Sequence, residues 1–241
     1  MPLGDADTEM SVLRSTVVLV HGGWHGSWCW AQVVPLLVRR GLSVRTIDLP
    51  SVDADPNDRS ALTGDAVALA ALLDELQAPV LLCGHSYGGM VITQAAAGRE
   101  DVARLVYLCA FMPDTGESLL SIIGERAPWI VVLEDGRWLP DLGQAAATFY
   151  ADCDAETQRA SIARLRPMPT APVEEPVSSA PWRDISSTYV VCTQDMAIPV
   201  EWQRERFAPR ADDVVELETS HSPFFSQPSA VADLLAERAS A

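Results

Sequence analysis

The sequence has little positive charge and no long apolar run. Its 241 residues include 17 Lys and Arg against 33 Asp and Glu, which gives a formal net charge of -16. Nucleic-acid binding needs a basic surface, so this balance argues against it, and it disfavours polyanionic substrates as well. No stretch approaches the roughly 18 consecutive apolar residues that a membrane-spanning helix requires. We therefore expect neither a nucleic acid nor a membrane as a partner.

The cysteine pattern excludes two further classes of protein. The five cysteines are odd in number and form no CxxC pair. A disulfide framework and a zinc site are both disfavoured, and we expect reduced, buried thiols in a cytoplasmic protein.

Residues 1–15 lack the basic-then-apolar order of a secretory signal, so we interpret them as a flexible leader. The glycine-rich loop lacks the Lys-Ser/Thr ending of a phosphate-binding loop, which argues against that motif.

Apolar, β-branched runs alternate with helix-like segments along most of the chain. Helical spacing of apolar residues predicts helices at 28–39 and 60–76. Strands are predicted at 16–20, 43–47, 79–83, 104–109, 188–193 and 213–217. Nearly continuous hydrophobic strands that alternate with helices predict an α/β fold, with a mostly parallel sheet of about six strands and helices on both faces. A hydrophobic content of 48% suits one core of this kind.

Residues 112–187 interrupt this alternation. Short helices are predicted at 117–127, 142–151 and 154–165, and no buried strand is predicted in the segment. Five prolines between 166 and 182 argue against a helix or a central strand there. We interpret 112–187 as a small helical lid, inserted before the penultimate strand of a core formed by 16–111 and 188–241. A separate small domain is the alternative.

One motif indicates nucleophilic chemistry. The sequence Gly84-His85-Ser86-Tyr87-Gly88 lies between a predicted strand and a helix-forming stretch, the context of a G-x-S-x-G nucleophile elbow. The turn that exposes the Ser86 hydroxyl requires a strained backbone, with φ above zero at Ser86. Side chains at Gly84 and Gly88 would collide with neighbouring backbone, which explains both glycines.

A serine nucleophile needs a base, which an acid in turn orients. In the chain order of this motif the acid follows the serine and the histidine comes last. Only His221, among four histidines, lies beyond a late strand, so it is the predicted base. Asp195 follows the end of the predicted strand 188–193, where such sheets place catalytic groups, and it is the predicted acid. Asp114, after an earlier strand, is the competitor.

Backbone N–H groups are needed where negative charge develops on the substrate. The N–H of Tyr87, directly after the nucleophile, and that of Gly23, in the loop after the first strand, are the predicted oxyanion hole. We expect His21 and His25 to hold this loop by hydrogen bonds. Candidate walls of the substrate pocket are Trp24, Met112, Trp129, Trp138 and Phe224.

Four segments together carry a resemblance to a known family. They are residues 18–30, 84–90, 110–114 and 191–195 with Ile198-Pro199. These segments resemble the α/β-hydrolase superfamily, and most of all its branch of plant methylesterases and hydroxynitrile lyases. The resemblance implies the α/β-hydrolase fold, a triad of Ser86, Asp195 and His221, an oxyanion hole from Gly23 and Tyr87, and no cofactor or metal. It also implies that Asp114 belongs to a structural motif, and it allows a monomer or a homodimer.

Two departures from that branch favour ester hydrolysis. Its lyases place a threonine after the first-strand histidine and a lysine after the catalytic one, but these positions here hold Gly22 and Ser222. Without an ammonium group, a departing cyanide loses its electrostatic partner. We therefore expect a serine hydrolase that cleaves a small neutral carboxylic ester. A lyase, lactonase or cyclase reaction in the same site, or non-catalytic binding of a small molecule, remains the alternative. Tyr87 is bulkier than the leucine common in that branch and is expected to narrow the acyl pocket.

Overall fold

The computed structural model describes residues 15–55, 57, 61–76 and 79–240. The predicted leader lies, except for Ser15, outside the described residues. The strands of the described residues are β1 (Thr16–Val20), β2 (Ser43–Ile47), β3 (Val80–His85), β4 (Val102–Leu108), β5 (Ile130–Val132), β6 (Trp138–Pro140), β7 (Ser187–Cys192) and β8 (Asp213–Leu217).

Ten α-helical segments accompany these strands in the described part of the chain. They are α1 (Val34–Arg39), α2 (Leu62–Asp74), α3 (Gly88–Ala95), α4 (Leu119–Ile123), α5 (Ala145–Phe149), α6 (Ala155–Ile162), α7 (Ala171–Glu174), α8 (Val200–Trp202), α9 (Pro223–Ser226) and α10 (Pro228–Ala239). None of the described helices has both the length and the apolar character that crossing a bilayer would require.

Six of the strands form one sheet in the order β2-β1-β3-β4-β7-β8. Every neighbouring pair in this sheet is parallel. The prediction of a mostly parallel six-stranded sheet is confirmed, and the strand limits differ from the predicted ones by no more than two residues. The sequence predicted these strands well because central parallel strands are apolar on both faces and therefore form continuous apolar runs.

Alternate residues of each central strand belong to two separate cores. Val18 and Leu82 pack with residues of α2 and α3 on one face of the sheet. Val17 and Leu81 pack with residues of α1 and α10 on the other face. Side chains alternate across a strand, so each fully buried valine or leucine contributes ~1.5–3 kcal/mol to one of the two cores. Helices therefore cover both faces, as predicted.

The predicted helix at 28–39 is divided in two. A 3-10 turn spans Ser27–Trp30, and α1 begins only at Val34. Pro35 explains the division, because proline lacks a backbone N–H and is tolerated only in the first turn of a helix. The predicted helix at 60–76 is α2, which spans Leu62–Asp74; Ser60 lies outside the described residues.

The segment 112–187, called the insertion below, contains two elements that the sequence reasoning did not predict. The strands β5 and β6 pair as an antiparallel hairpin. The prediction was of no buried strand, and only Ile130 of β5 and Pro140 of β6 are buried. Strands of three residues are too short to show an alternating pattern. A helical turn, α7, also forms within the proline-rich stretch, because Pro172 occupies its first turn.

The insertion shares its packing with the rest of the chain. Met168 and Val173 belong to the same hydrophobic cluster as the α2 and α3 face of the sheet. A second, smaller cluster joins Phe149 of the insertion to Trp24, which follows β1. The insertion therefore packs both on the sheet and in a small cluster of its own, whose buried members are Ala145, Phe149, Tyr150 and Leu165.

Parallel strands bring their carboxyl ends to one edge of the sheet. Ser86 follows β3, Asp195 follows the end of β7, and His221 comes a few residues after β8. The chain leaves β1 for β2 on one side and returns to β3 on the other, so β1 and β3 form a topological switch point. Ligands of open α/β sheets bind in the crevice outside such a point.

The turn after β3 has the predicted strained geometry. Ser86 has φ 53°, in the left-handed region. A Cβ atom on Gly84 would lie 2.5 Å from the carbonyl oxygen of Gly88, and one on Gly88 would lie 2.7 Å from the carbonyl oxygen of His21. Backbone atoms cannot move aside cheaply, so this turn requires both glycines.

Replacing Gly84 with alanine tests this requirement. We expect Gly84→Ala to lower the free energy of unfolding by ~3 kcal/mol or to prevent folding, because the added methyl group overlaps backbone. Gly98→Ala is the matched control: Gly98 has φ 69° but no atom within 4 Å of an added Cβ. The control should lose only ~1 kcal/mol from backbone strain. Equal losses for the two variants in urea unfolding would contradict the steric argument.

Candidate active site

Asp195 and His221 form a buried hydrogen bond at the edge of the sheet. The Nδ1 atom of His221 lies 2.7 Å from Oδ2 of Asp195. The two residues are only 2% and 4% exposed. A carboxylate oxygen accepts, so the imidazole proton lies on Nδ1 and leaves Nε2 as an acceptor. Asp114, the competing candidate, instead pairs with Arg183 at 2.5 Å and does not contact His221.

The Asp195 carboxylate is held by three further donors. The backbone N–H groups of Ala197 and Ile198 donate to Oδ1 at 2.7 and 3.0 Å. The side-chain amide of Gln203 donates to Oδ2 at 2.8 Å, and its oxygen accepts from the N–H of Cys192. Each buried lone pair of the carboxylate therefore has a partner, which fixes the orientation of the group.

Sequence reasoning missed Gln203. It is buried and begins a π-helical turn, Gln203–Phe207, directly after α8. Single π-helical turns occur frequently at functional sites. In the sequence Gln203 is one polar residue among charged neighbours, eight positions beyond Asp195. No local pattern distinguishes it from a surface residue.

Ser86 and His221 line the same cavity, which has a volume of about 320 Å³. Ser86 is 9% exposed, and its hydroxyl makes no hydrogen bond with any described residue. The Nε2 atom of His221 likewise has no hydrogen-bond partner among the described residues. A hydroxyl group and a basic nitrogen therefore both adjoin one enclosed space.

The loop after β1 lies against the elbow. A Cβ atom on Gly22 would lie 2.9 Å from the Cβ of Ser86, and one on Gly23 would lie 3.9 Å from the Cβ of Tyr87. Within the described part of the chain, the backbone N–H groups of Gly23 and Tyr87 donate no hydrogen bond. These two N–H groups thus belong to residues that lie close together beside Ser86. Such an arrangement is able to bind an anionic oxygen.

Two buried histidines hold the carbonyl groups of this loop. The Nδ1 of His21 lies 2.8 Å from the carbonyl oxygen of Gly22, and its Nε2 accepts from the N–H of Leu49. The Nδ1 of His25 lies 2.9 Å from the carbonyl oxygen of Gly23. Burial lowers the pKa of His21, and it lowers the pKa of His25 to about 3. Both imidazoles are therefore neutral at neutral pH.

His85 and Cys109 support the backbone of His221. The Nε2 of His85 lies 2.8 Å from the carbonyl oxygen of His221, and the Cys109 thiol donates to the same oxygen at 3.5 Å. Ligand-type atoms of these three residues lie within 4.8 Å of one another. A metal bound there would have to compete with these hydrogen bonds and with Asp195. We therefore assign the cluster to holding the His221 loop.

Three of the five predicted wall residues line the cavity. Trp24, Trp129 and Trp138 do so, together with Phe149 and Met168. The ring centroids of Trp24 and Trp129 lie 5.7 Å apart, and those of Trp129 and Phe149 lie 5.3 Å apart, in edge-to-face contact. The aromatic side chains thus form a continuous apolar wall, to which the insertion contributes most members.

The structure places the other two predicted wall residues elsewhere. Phe224 lies in α9 and packs against Trp30 and His85, each with ring centroids 4.9 Å apart. Pro223 starts a new helix directly after the His221 loop, which directs Phe224 into the core on the opposite face of the sheet. Met112 is wholly buried in the other core, so neither residue borders the cavity.

Tyr87 borders the cavity with its ring but directs its hydroxyl away. That hydroxyl donates to Oδ2 of Asp65 at 2.7 Å, and the hydroxyl of Ser51 donates to the same oxygen at 2.6 Å. Burial raises the pKa of Tyr87, so it remains a donor. Sequence reasoning missed Asp65, because an aspartate on the amphipathic helix α2 is expected from the sequence alone to face solvent.

The cavity walls are nearly free of charge. Among its described lining residues, apart from His221, only Glu125 and Arg126 have side chains that carry charge near neutral pH, and both are exposed residues of the insertion. Arg126 also donates to the carbonyl oxygen of Ile130. A charged ligand deep in this cavity would find no counter-ion, so the walls suit an uncharged molecule.

The buried histidines predict an acid-sensitive fold. The pKa of His25 is about 3 in the folded state, and burial lowers those of His21 and His85 as well. In the unfolded chain the histidine pKa is about 6.5, so the unfolded state binds more protons and stability rises with pH. Between about pH 7.5 and about pH 5.5, His25 alone accounts for a loss on the order of 1 kcal/mol.

Urea unfolding at the two pH values measures this effect. We expect the free energy of unfolding to fall on acidification by at least the amount given for one histidine. The variant His25→Asn, which lacks one titrating group, should show a correspondingly smaller decrease. A stability that is constant or higher at the lower pH would contradict the neutral state of these residues.

Comparison with known proteins identifies the family. The model of the alpha/beta hydrolase family matches residues 17–234. An alpha/beta hydrolase of Aspergillus novofumigatus, nvfD, is 28% identical over 241 residues, which cover 93% of this chain and 96% of that protein. Methylesterase 1 of Arabidopsis thaliana is 28% identical over 254 residues, covering 90% of this chain and 92% of the relative.

A solved structure agrees with these relatives. A pyrethroid hydrolase from Sphingobium faniae JZ-2 superposes with a TM-score of 0.81 at 26% identity, over 94% of this chain and 98% of that one. The resemblance to the methylesterase branch is confirmed by the plant methylesterases among the relatives. The sheet order, the elbow after β3 and the match over residues 17–234 lead to one conclusion. This chain belongs to the alpha/beta hydrolase family.

Proposed function

We propose that the protein is a cofactor-independent serine hydrolase that cleaves a small neutral carboxylic ester through an acyl-enzyme. The observation that carries this proposal is the buried bond from His221 to Asp195, beside the cavity that Ser86 also lines. Relatives named as a methylesterase and a pyrethroid hydrolase support ester hydrolysis.

In this mechanism Ser86 attacks the ester carbonyl carbon. The Nε2 of His221 takes the hydroxyl proton, and Asp195 stabilises the resulting imidazolium through Nδ1–H. The carbonyl oxygen becomes an anion in the tetrahedral intermediate. The N–H groups of Gly23 and Tyr87, which donate to no other described residue, bind this oxygen. Loss of one such donor costs about 3 kcal/mol of transition-state stabilisation.

The second half of the reaction reverses these roles. The imidazolium of His221 gives its proton to the leaving alcohol, and the acyl group remains on Ser86. Water then attacks the acyl-enzyme, with His221 again as the base, and releases the carboxylic acid. Asp195 keeps the same hydrogen bond throughout, which the two backbone donors and Gln203 make geometrically fixed.

The cavity supports an apolar, uncharged substrate of modest size. Its volume of about 320 Å³ lies near the lower end of the roughly 300–1,000 Å³ that ligand pockets span. In this proposal the insertion acts as a lid, because Trp129, Trp138 and Phe149 of the insertion line the cavity that Ser86 also lines. An aromatic wall excludes water and strengthens the electrostatic interactions at the reacting carbonyl.

The thiols support a reducing, cytoplasmic location. All five cysteines are free, and four of them are buried. Burial raises the pKa of the Cys83 thiol and raises that of Cys153 to about 12. Unreactive free thiols suit a compartment in which disulfides are not formed.

Cyanohydrin cleavage in the same site is the principal alternative reaction. The chain contains no lysine, and position 222, directly after His221, holds a fully buried serine. No ammonium group is therefore available to stabilise cyanide. We expect incubation with mandelonitrile to release no cyanide above the uncatalysed rate, while p-nitrophenyl esters are hydrolysed. Cyanide release faster than ester cleavage would overturn the preference for hydrolysis.

The nucleophile is tested by Ser86→Ala. We expect turnover of p-nitrophenyl butyrate to fall by at least ~10³-fold, as in other triad deletions. The matched control is Ser240→Ala, whose hydroxyl only bonds the carbonyl of Ala236 at the end of α10, and it should retain full activity. A fluorophosphonate reagent should label wild type and not Ser86→Ala. An undiminished rate in Ser86→Ala would refute the assignment of the nucleophile.

A further inference from the structure

The direction of the Gly23 N–H depends on two neighbouring peptide planes. Glycine has no Cβ and populates a wide range of φ and ψ, so Gly23 does not fix its own conformation. The plane before it carries the Gly22 carbonyl and the Gly23 N–H, and the plane after it carries the Gly23 carbonyl and the Trp24 N–H. Peptide planes are rigid, so holding each carbonyl also holds the N–H of that plane.

His21 holds the first plane. Its Nε2 accepts from the Leu49 N–H at 3.0 Å, and an amide N–H can only donate. The proton of the neutral ring is therefore on Nδ1, which donates to the Gly22 carbonyl at 2.8 Å. Leu49 follows β2, so this anchor originates in the sheet.

His25 holds the second plane in the same way, through a hydrogen bond to its carbonyl. The residue that fixes the His25 ring, however, belongs to the insertion. Its Nδ1 donates to the Gly23 carbonyl at 2.9 Å, since a carbonyl oxygen can only accept. The Nε2 is then a bare acceptor, and it lies 2.7 Å from the hydroxyl of Tyr150. Tyr150 is wholly buried and directly follows α5. Its hydroxyl donates the bond that fixes the tautomer of His25.

The residue after Gly23 is also tied to the insertion. Trp24 has φ 63°, an unusual value for a side chain of its size, which persists only when surrounding contacts enforce it. Its indole N–H donates to the Trp138 carbonyl at 3.0 Å, and its carbonyl accepts from the Arg166 N–H at 2.9 Å. The loop is therefore constrained from the sheet on one side and from the insertion on the other.

We propose that Tyr150 is a positioning residue for ester hydrolysis. It acts through His25 to hold the plane after Gly23, which limits rotation at this glycine that would turn its N–H away from the reacting oxygen. The proposal rests on the function proposed above. It makes the insertion part of the machinery that stabilises the transition state, in addition to covering the cavity. Tyr150 itself does not border the cavity, so it has no direct contact with a bound ester.

Tyr150→Phe removes only the hydroxyl and keeps the ring that packs against Phe149 and Phe225. We expect kcat for p-nitrophenyl butyrate to fall roughly tenfold with KM changed less than about twofold, because a misdirected donor weakens the transition state more than the bound ester. Affinity for an aryl trifluoromethyl ketone, which forms a tetrahedral adduct with serine, should fall by the same factor as kcat.

Tyr107→Phe is the matched control. Tyr107 is also wholly buried, and its hydroxyl bonds Thr93 at 2.8 Å in the core between β4 and α3. This variant should lose stability comparably in thermal unfolding but keep both kcat and inhibitor affinity. If Tyr150→Phe keeps wild-type kcat and inhibitor affinity, the positioning role is overturned. If wild type itself neither turns over esters nor binds the ketone, the proposed function fails instead.

His25→Asn provides a second route if Tyr150→Phe does not fold. The asparagine amide can occupy the position of Nδ1 and donate to Gly23, but it ends short of Tyr150. We expect the same loss of kcat, with KM again nearly constant. Where both single variants fold, the double variant should have a kcat no lower than that of either one. Both substitutions remove the same hydrogen bond, the one between Tyr150 and His25. Additive losses, or unchanged kcat in His25→Asn, would contradict the proposal.

Discussion

The hydrogen bond between Asp195 and His221 is the interaction on which the candidate site depends. It joins the loops after two adjacent parallel strands, β7 and β8, at the edge where β3 also presents Ser86. Both partners are buried, and an unpaired carboxylate there would be costly. Gln203 and two backbone N–H groups satisfy the remaining lone pairs of Asp195, so the imidazole has one tautomer and one orientation.

Neutral histidines perform a second task in this molecule. His21 and His25 fix successive peptide planes of the loop after β1, and His85 holds the backbone of the His221 loop. Each ring has a single tautomer only because burial keeps it uncharged, as its lowered pKa indicates. The same burial links stability to pH, since the unfolded chain takes up protons that the buried rings do not. In His21 and His25, protonation would also remove the Nε2 acceptor that each ring uses. Site geometry and acid sensitivity therefore have one physical cause.

The parts that the sequence predicted are those with local signals. The strands are short apolar runs, and the elbow needs glycines two residues before and after Ser86. The strands and the elbow can therefore be predicted from the sequence. The β5–β6 hairpin cannot, because three-residue strands show no period. The roles of Gln203, Asp65 and Tyr150 could not be predicted either, since each depends on a partner that no local sequence pattern indicates. Phe224 was misplaced because a proline-initiated helix redirects it, which proximity to His221 in the sequence does not reveal.

In the proposed reaction Ser86, His221 and two backbone donors act together on one ester carbonyl group. A crystal structure of the protein after reaction with diethyl p-nitrophenyl phosphate tests it most directly. We expect a covalent bond from phosphorus to the Ser86 hydroxyl oxygen, with the phosphoryl oxygen about 2.7–3.1 Å from the backbone nitrogens of Gly23 and Tyr87. An unmodified Ser86, or a phosphoryl oxygen directed away from both nitrogens, would contradict it.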